Sequence, residues 1–141
     1  MTVRVINAQH RTRVPLKHLS SLAQRAARRL GMSGAGQLAV TLIDAKQMRN
    51  VNRRFLRHDR TTDVISFRYD DEPVVGDILI DPGMARKYAD DHGISYESEL
   101  GRYIVHGLLH WLGHDDRTMA QRTRMRAKEN EVLTACQWST V

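Results

Sequence analysis

Cysteine occurs once in these 141 residues, at Cys136. No intrachain disulfide can form, which excludes the stapled secreted scaffolds and fits a reducing, intracellular compartment. No apolar run approaches the ~20 residues that span a bilayer. Residues Met1 to Ala8 alternate apolar and polar side chains without the core of a signal peptide. The expectation is a cytoplasmic protein with no membrane partner. Internal repeats, low-complexity tracts and linkers are absent too, so the chain reads as a single domain over residues 1–141. A chain of this size buries roughly 68–70% of its unfolded surface, enough for a core without cross-links. Lysine is also scarce. Only 4 Lys stand beside 18 Arg, and these 22 basic residues against 16 acidic ones leave a formal charge of +6. Arginine forks match phosphate bidentately and stack on bases, so the excess favours a nucleic-acid partner. A GC-rich coding bias would explain the Arg/Lys ratio but not the net charge.

Hydrophobic periodicity supplies the elements. Val3, Val5 and Ile6 suggest a first strand. Leu16, Leu19, Leu22, Ala23, Ala26, Ala27 and Leu30 recur at helical spacing after Pro15 and before Gly31. Leu38 to Ile43 reads as a strand and Ala45 to Phe55 as a helix. Residues 57 to 62 form a polar, basic loop. Val64, Ile65 and Phe67 make a third strand, Asp70 to Pro73 an acidic turn, and Gly76 to Ile80 a fourth strand. Helices follow from Pro82 to about Gly93, from Glu97 to Leu112 and from Thr118 to Cys136. The order β-α-β-α-β-β-α-α-α predicts an α+β fold with a small mixed four-stranded sheet packed with helices. The Glu97 to Leu112 helix is apolar on more than one face, which puts it at the centre.

That central helix carries the chemistry. Residues 106 to 116 read His-Gly-Leu-Leu-His-Trp-Leu-Gly-His-Asp-Asp. His106 and His110 lie four residues apart, one turn apart on one helix face, a spacing at which two imidazoles can hold one zinc ion. Gly113 can end the helix in a left-handed turn and bring Asp116 round as a third ligand. If the helix instead ran on, His114 would reach the same face and be the third ligand. Asp115 reads as a turn residue or as a partner for an imidazole N–H. Three protein ligands leave a position on tetrahedral zinc for water, the mark of a catalytic site. Zinc proteases with this spacing carry a glutamate base directly after the first histidine. Gly107 occupies that place here, which argues against peptide hydrolysis and for another metal-assisted hydrolysis.

A second stretch runs from Asn52 to Phe67 and packs four arginines into residues 53 to 60, with Arg49 one turn earlier. It reads as a phosphate-gripping rim beside the metal or as a solvated helix face and loop. Phe55 reads as core rather than as a stacking platform. Asp63 fits capping, strand-end pairing or catalysis. Asp77 reads as an anchor for a neighbouring loop, and the last helix, with Arg122, Arg124, Arg126, Lys128, Glu129 and Glu131, as a charged outer face.

These stretches together resemble the bacterial YbeY family of rRNA maturation factors and endoribonucleases. Residues 106 to 116 are similar to its His-Gly-x-Leu-His-Leu-x-Gly-Tyr/His-Asp-His signature. Asp59 to Phe67 resembles its Asp-x-Pro-Thr-Asp/Asn-Val-Leu-Ser-Phe stretch, and Gly76 to Ile80 its Gly-Asp-Ile-x-Ile stretch. The likeness in length and order covers nearly the whole chain. It implies one zinc ion per chain and cleavage of single-stranded RNA. It also implies work on the small ribosomal subunit with its assembly factors, at the rRNA 3′ end and in ribosome quality control. Three positions depart from the pattern. Asp116 stands where the family has a third histidine, Thr61 where it has proline, and Leu56 where it often has an arginine tied to activity. Arg54 and Arg57 are the nearest substitutes for that arginine, and with Asp63 they form the expected catalytic set. A ribosome-assembly factor with a structural metal, or a hydrolase of another substrate, is the alternative.

Overall fold

The computed structural model describes residues 1–56, 63–70 and 73–138. Four strands form one mixed sheet: β1 (Thr2–Asn7), β2 (Gln37–Leu42), β3 (Val64–Arg68) and β4 (Val74–Ile80). Their spatial order is β1-β2-β4-β3. β1 pairs with β2 and β2 with β4 in parallel, while β3 runs antiparallel along β4, with Val64 opposite Ile80 and Ser66 opposite Ile78. The helices are α1 (Leu16–Arg29), α2 (Ala45–Val51), α3 (Pro82–His92), α4 (Tyr96–Trp111) and α5 (Met119–Ala135). The mixed four-stranded α+β arrangement expected from the periodicity is therefore present. No helix among the described residues is long and apolar enough to cross a membrane.

Strand alternation sorts the sheet into two faces. Leu38, Val40, Leu42, Ile78 and Ile80 point to one face and are fully buried against α1 and α4, in the larger core. Ile65 on the opposite face packs with Ile43 and Met48 of the α2 side in a smaller cluster, which Phe67 and Leu79 border. α4 fills the centre as expected. Leu100, Ile104, Val105, Leu108 and Leu109 are all fully buried, on more sides of the helix than one.

Two features differ from the sequence expectation. The second helix is α-helical only to Val51 and then widens into a π-helical turn over Asn52–Leu56. Such turns are rare and concentrate at functional sites. Phe55, expected in the core, is 61% exposed and touches Phe67 edge-on at 5.7 Å between ring centres. The wider turn carries its ring outward, onto the margin of the smaller cluster.

Candidate metal centre

The site begins with how α4 meets the sheet. Gly107 lies over β3 and β4. A Cβ at that position would come 2.5 Å from Ile78 Cγ2 and 3.3 Å from Val64 Cγ1. Ser66 of β3 donates from Oγ to the Gly107 carbonyl at 3.2 Å. The glycine is therefore a packing requirement, and it also explains the missing base: the direction in which a glutamate would leave the helix is filled by the core. His106 and His110 leave α4 on a different side, half-buried.

α4 ends at Trp111, one residue after His110. Gly113 takes φ 101°, its N–H bonds the His110 carbonyl at 2.9 Å, and the His114 N–H bonds the Leu109 carbonyl at 3.0 Å. These are the paired bonds of a Schellman motif, with glycine in the left-handed position that other residues adopt only with strain. The reversal brings Asp116 back over the two imidazoles. Asp116 Oδ2 lies 3.1 Å from His110 Nε2 and 3.4 Å from His106 Nε2, and the two Nε2 atoms are 2.9 Å apart. Zinc with bonds of about 2.0–2.1 Å needs tetrahedral ligand atoms roughly 3.3 Å from one another. The three observed distances fit, and this is the one group among the described residues able to hold a metal ion. His114 is not brought in. It is exposed and faces a separate small cavity with Asp115, Gln121 and Arg124.

Sequence reasoning missed the carboxylate behind the first histidine. Glu129 of α5 is only 3% exposed. Its Oε2 accepts from His106 Nδ1 at 2.6 Å, which places the ring proton on Nδ1 and turns the Nε2 lone pair toward His110 and Asp116. A metal-binding histidine is commonly held this way by a carboxylate on its other nitrogen. Glu129, not Asp115, is thus the imidazole partner. Its Oε1 accepts from Arg102 Nη1 at 3.1 Å, and Arg102 Nε lies 3.6 Å from Glu99. Burial lowers the His106 pKa, but the hydrogen bond and charge of Glu129, with Asp63 and Asp116, outweigh it and raise the pKa. Burial raises the Glu99 pKa against the opposing pull of Arg102 and Arg126.

A cavity of about 750 Å³ opens beside His106 and Asp116, lined also by Asp63, Tyr103, Arg122 and Arg126 among others. Asp63 thus shares the wall of this cavity with His106 and Asp116. Its Oδ1 also accepts from the Val64 N–H at 3.0 Å, and its carbonyl accepts from the Asp81 N–H at 3.1 Å, tying the start of β3 to the end of β4. Arg54 is exposed on the π-helical turn, its guanidinium carbon 5.5 Å from the Phe55 ring centre, and is not part of the cavity wall. Arg57 and the rest of the loop 57–62 lie outside the described residues. Asp77 accepts from the Tyr69 hydroxyl at 2.7 Å and so anchors the β3–β4 hairpin as expected. α5 does not simply face outward: Glu129, Arg122 and Arg126 turn toward the site.

The family model described as Endoribonuclease YbeY matches residues 4–137. The chain belongs to the YbeY family. Among its relatives in the family, it is 34% identical over 133 residues to the Endoribonuclease YbeY of Bacillus subtilis, covering 85% of each chain. It is also 34% identical over 131 residues to that of Staphylococcus aureus, covering 84% of each. The solution structure of TM1509 from Thermotoga maritima superposes with a TM-score of 0.64 at 22% identity, over 96% of this chain and 92% of that one, and shows the same fold.

Proposed function

We propose that this chain is a zinc-dependent endoribonuclease that cuts single-stranded RNA. Its place of action is rRNA maturation in the cytoplasm, at the 3′ end of the small-subunit rRNA, and ribosome quality control, in contact with the small subunit and its assembly factors. The observation that carries the reading is the meeting of His106 Nε2, His110 Nε2 and Asp116 Oδ2 within 3.4 Å of one another, in a chain of an endoribonuclease family. Three acceptor atoms gathered at one point are satisfied together by one cation.

His106, His110 and Asp116 would hold the metal, and zinc bound there supplies Lewis acidity and lowers the pKa of water to about 7. Glu129 keeps His106 in the tautomer that can ligate. Asp63, which lines the cavity, is assigned as the acceptor of a proton from the attacking hydroxyl, whether that of water or the RNA 2′-OH, because Gly107 offers no base on α4. Attack forms a bond to phosphorus and breaks the bond to the 5′ oxygen, which takes a proton from solvent water as it leaves. Arg54 and Arg57 are assigned to the RNA backbone as it approaches the cavity. The formal charge of +6 supports an anionic substrate.

Asp116, where the family carries a histidine, favours a second reading: an rRNA-binding assembly factor with a structural metal. Cleavage of a single-stranded RNA by purified protein and by the His110→Ala variant separates the two. Cleavage lost in the variant supports the nuclease. Equal cleavage by both exposes a contaminating nuclease, and RNA binding without cleavage supports the assembly factor.

A further inference from the structure

We infer that α5 carries a two-phosphate grip, Arg122 and Arg126, for the single-stranded nucleic acid entering the metal cavity. The inference rests on the reading of the cavity as an RNA site and adds, to the approach contacts assigned to Arg54 and Arg57, backbone contacts at the cavity itself from a helix. Both residues line the cavity that His106 and Asp116 also line. They are four residues apart on α5, hence neighbours one turn apart on one face.

Their charges are only partly compensated within the protein, Arg126 by Glu129 and Glu99. Arg122 donates from Nη1 to the carbonyl oxygens of Arg117 at 2.9 Å and Asp116 at 3.4 Å, neutral acceptors that hold the fork in place without cancelling its charge. Arg126 Nη1 is 3.9 Å from Glu129 Oε1, beyond hydrogen-bonding distance. Glu129 is already engaged, by His106 at 2.6 Å and Arg102 at 3.1 Å. Two carboxylates, Asp63 and Asp116, and two partly uncompensated guanidinium forks in one cavity wall suit a cation and phosphates bound side by side. Arginine forks bind phosphate oxygens bidentately. The other described candidate, Arg54, lies outside the cavity wall.

The test is the salt dependence of binding. A labelled oligouridine is titrated with protein at several salt concentrations, all in a His110→Ala background so that nothing is cut. Each phosphate neutralised on a single strand contributes about −0.7 to the slope of log K against log salt. Arg126→Ala should make the slope shallower by about 0.7 and the Arg122→Ala/Arg126→Ala pair by about 1.4. Between 50 and 200 mM salt the parent should therefore lose about sevenfold more affinity than the double variant. Arg122→Lys/Arg126→Lys should keep most of the slope, and Lys17→Ala/Arg28→Ala, an equal charge loss on α1, should keep all of it. Arg126 bonds no backbone group in the described structure, so its single variant reads the grip without loosening the Asp116 loop. A slope unchanged in Arg126→Ala and in the double variant overturns the inference, as does an equal drop in the α1 control. The nuclease reading stands or falls separately. His110-dependent cleavage with no slope change would sink the grip alone, and a slope change in a protein that never cuts would sink the nuclease alone.

Discussion

Replacing Glu129 by glutamine removes one charge and almost no volume, yet it should weaken metal binding sharply. The carboxylate accepts on both oxygens, from His106 Nδ1 at 2.6 Å and from Arg102 Nη1 at 3.1 Å. A carboxamide can accept on only one side. If its oxygen faces His106, its NH₂ meets the Arg102 donor in a site that is 3% exposed. If its NH₂ faces His106, the ring must give up the Nδ1 proton and carry it on Nε2, the atom turned toward His110 and Asp116. The first keeps the ligating tautomer only by setting two buried donors against each other, and the second gives that tautomer up. Loss of such a supporting carboxylate typically costs about 10–100-fold in metal affinity, or roughly 1.4–2.7 kcal/mol. Glu129→Ala should in addition destabilise the metal-free fold by up to about 3–5 kcal/mol, because Arg102 is left buried without its closer carboxylate. Glu99, 3.6 Å from Arg102 Nε, reduces that figure. Competition against a chromophoric zinc chelator reads the affinity, and urea melts of metal-free protein read the stability. Zinc affinity in Glu129→Gln equal to that of the parent would refute the reasoning, whatever happened to the melts.

Other expectations follow from the same geometry. Asp116→Ala should lose bound zinc while His114→Ala keeps it, measured as metal content after gel filtration; loss in the second alone would make His114 the third ligand. Asp116→His should retain zinc, since a histidine stands there in the family pattern. Gly107→Ala should cost about 1–3 kcal/mol by overpacking against Ile78 and Val64; an unchanged urea midpoint would show that α4 is not pressed on the sheet. Gly113→Ala should cost about 1–2 kcal/mol through its φ of 101° and weaken zinc binding through Asp116; unchanged zinc affinity would show that the turn does not position that ligand.

The fold was legible where one pattern governs one element. β2 alternates, α1 repeats its leucines and alanines at helical spacing, and Gly113 marks the end of α4, so their places follow from local physics. His106, His110 and Asp116 were legible for the same reason, lying within eleven residues of one helix and its turn. Glu129 was not, because its partner lies 23 residues away and α5 is crowded with charges of both signs. One signal was present. Met125, Glu129 and Val132 recur at helical spacing, and all three are buried. A carboxylate on an otherwise apolar stripe is a group with a buried partner. The π-helical turn and the exposure of Phe55 had no comparable signature, since the residues of that turn read as ordinary helix.

The central claim, that one metal ion at the two histidines and Asp116 enables RNA cleavage, is tested most directly by adding zinc stepwise to metal-free protein and following single-strand cleavage and bound zinc together. Cleavage should rise in proportion to zinc up to one ion per chain and then level, with no rise in His110→Ala protein. Full cleavage before any zinc is added, or the same rise in the variant, would contradict it.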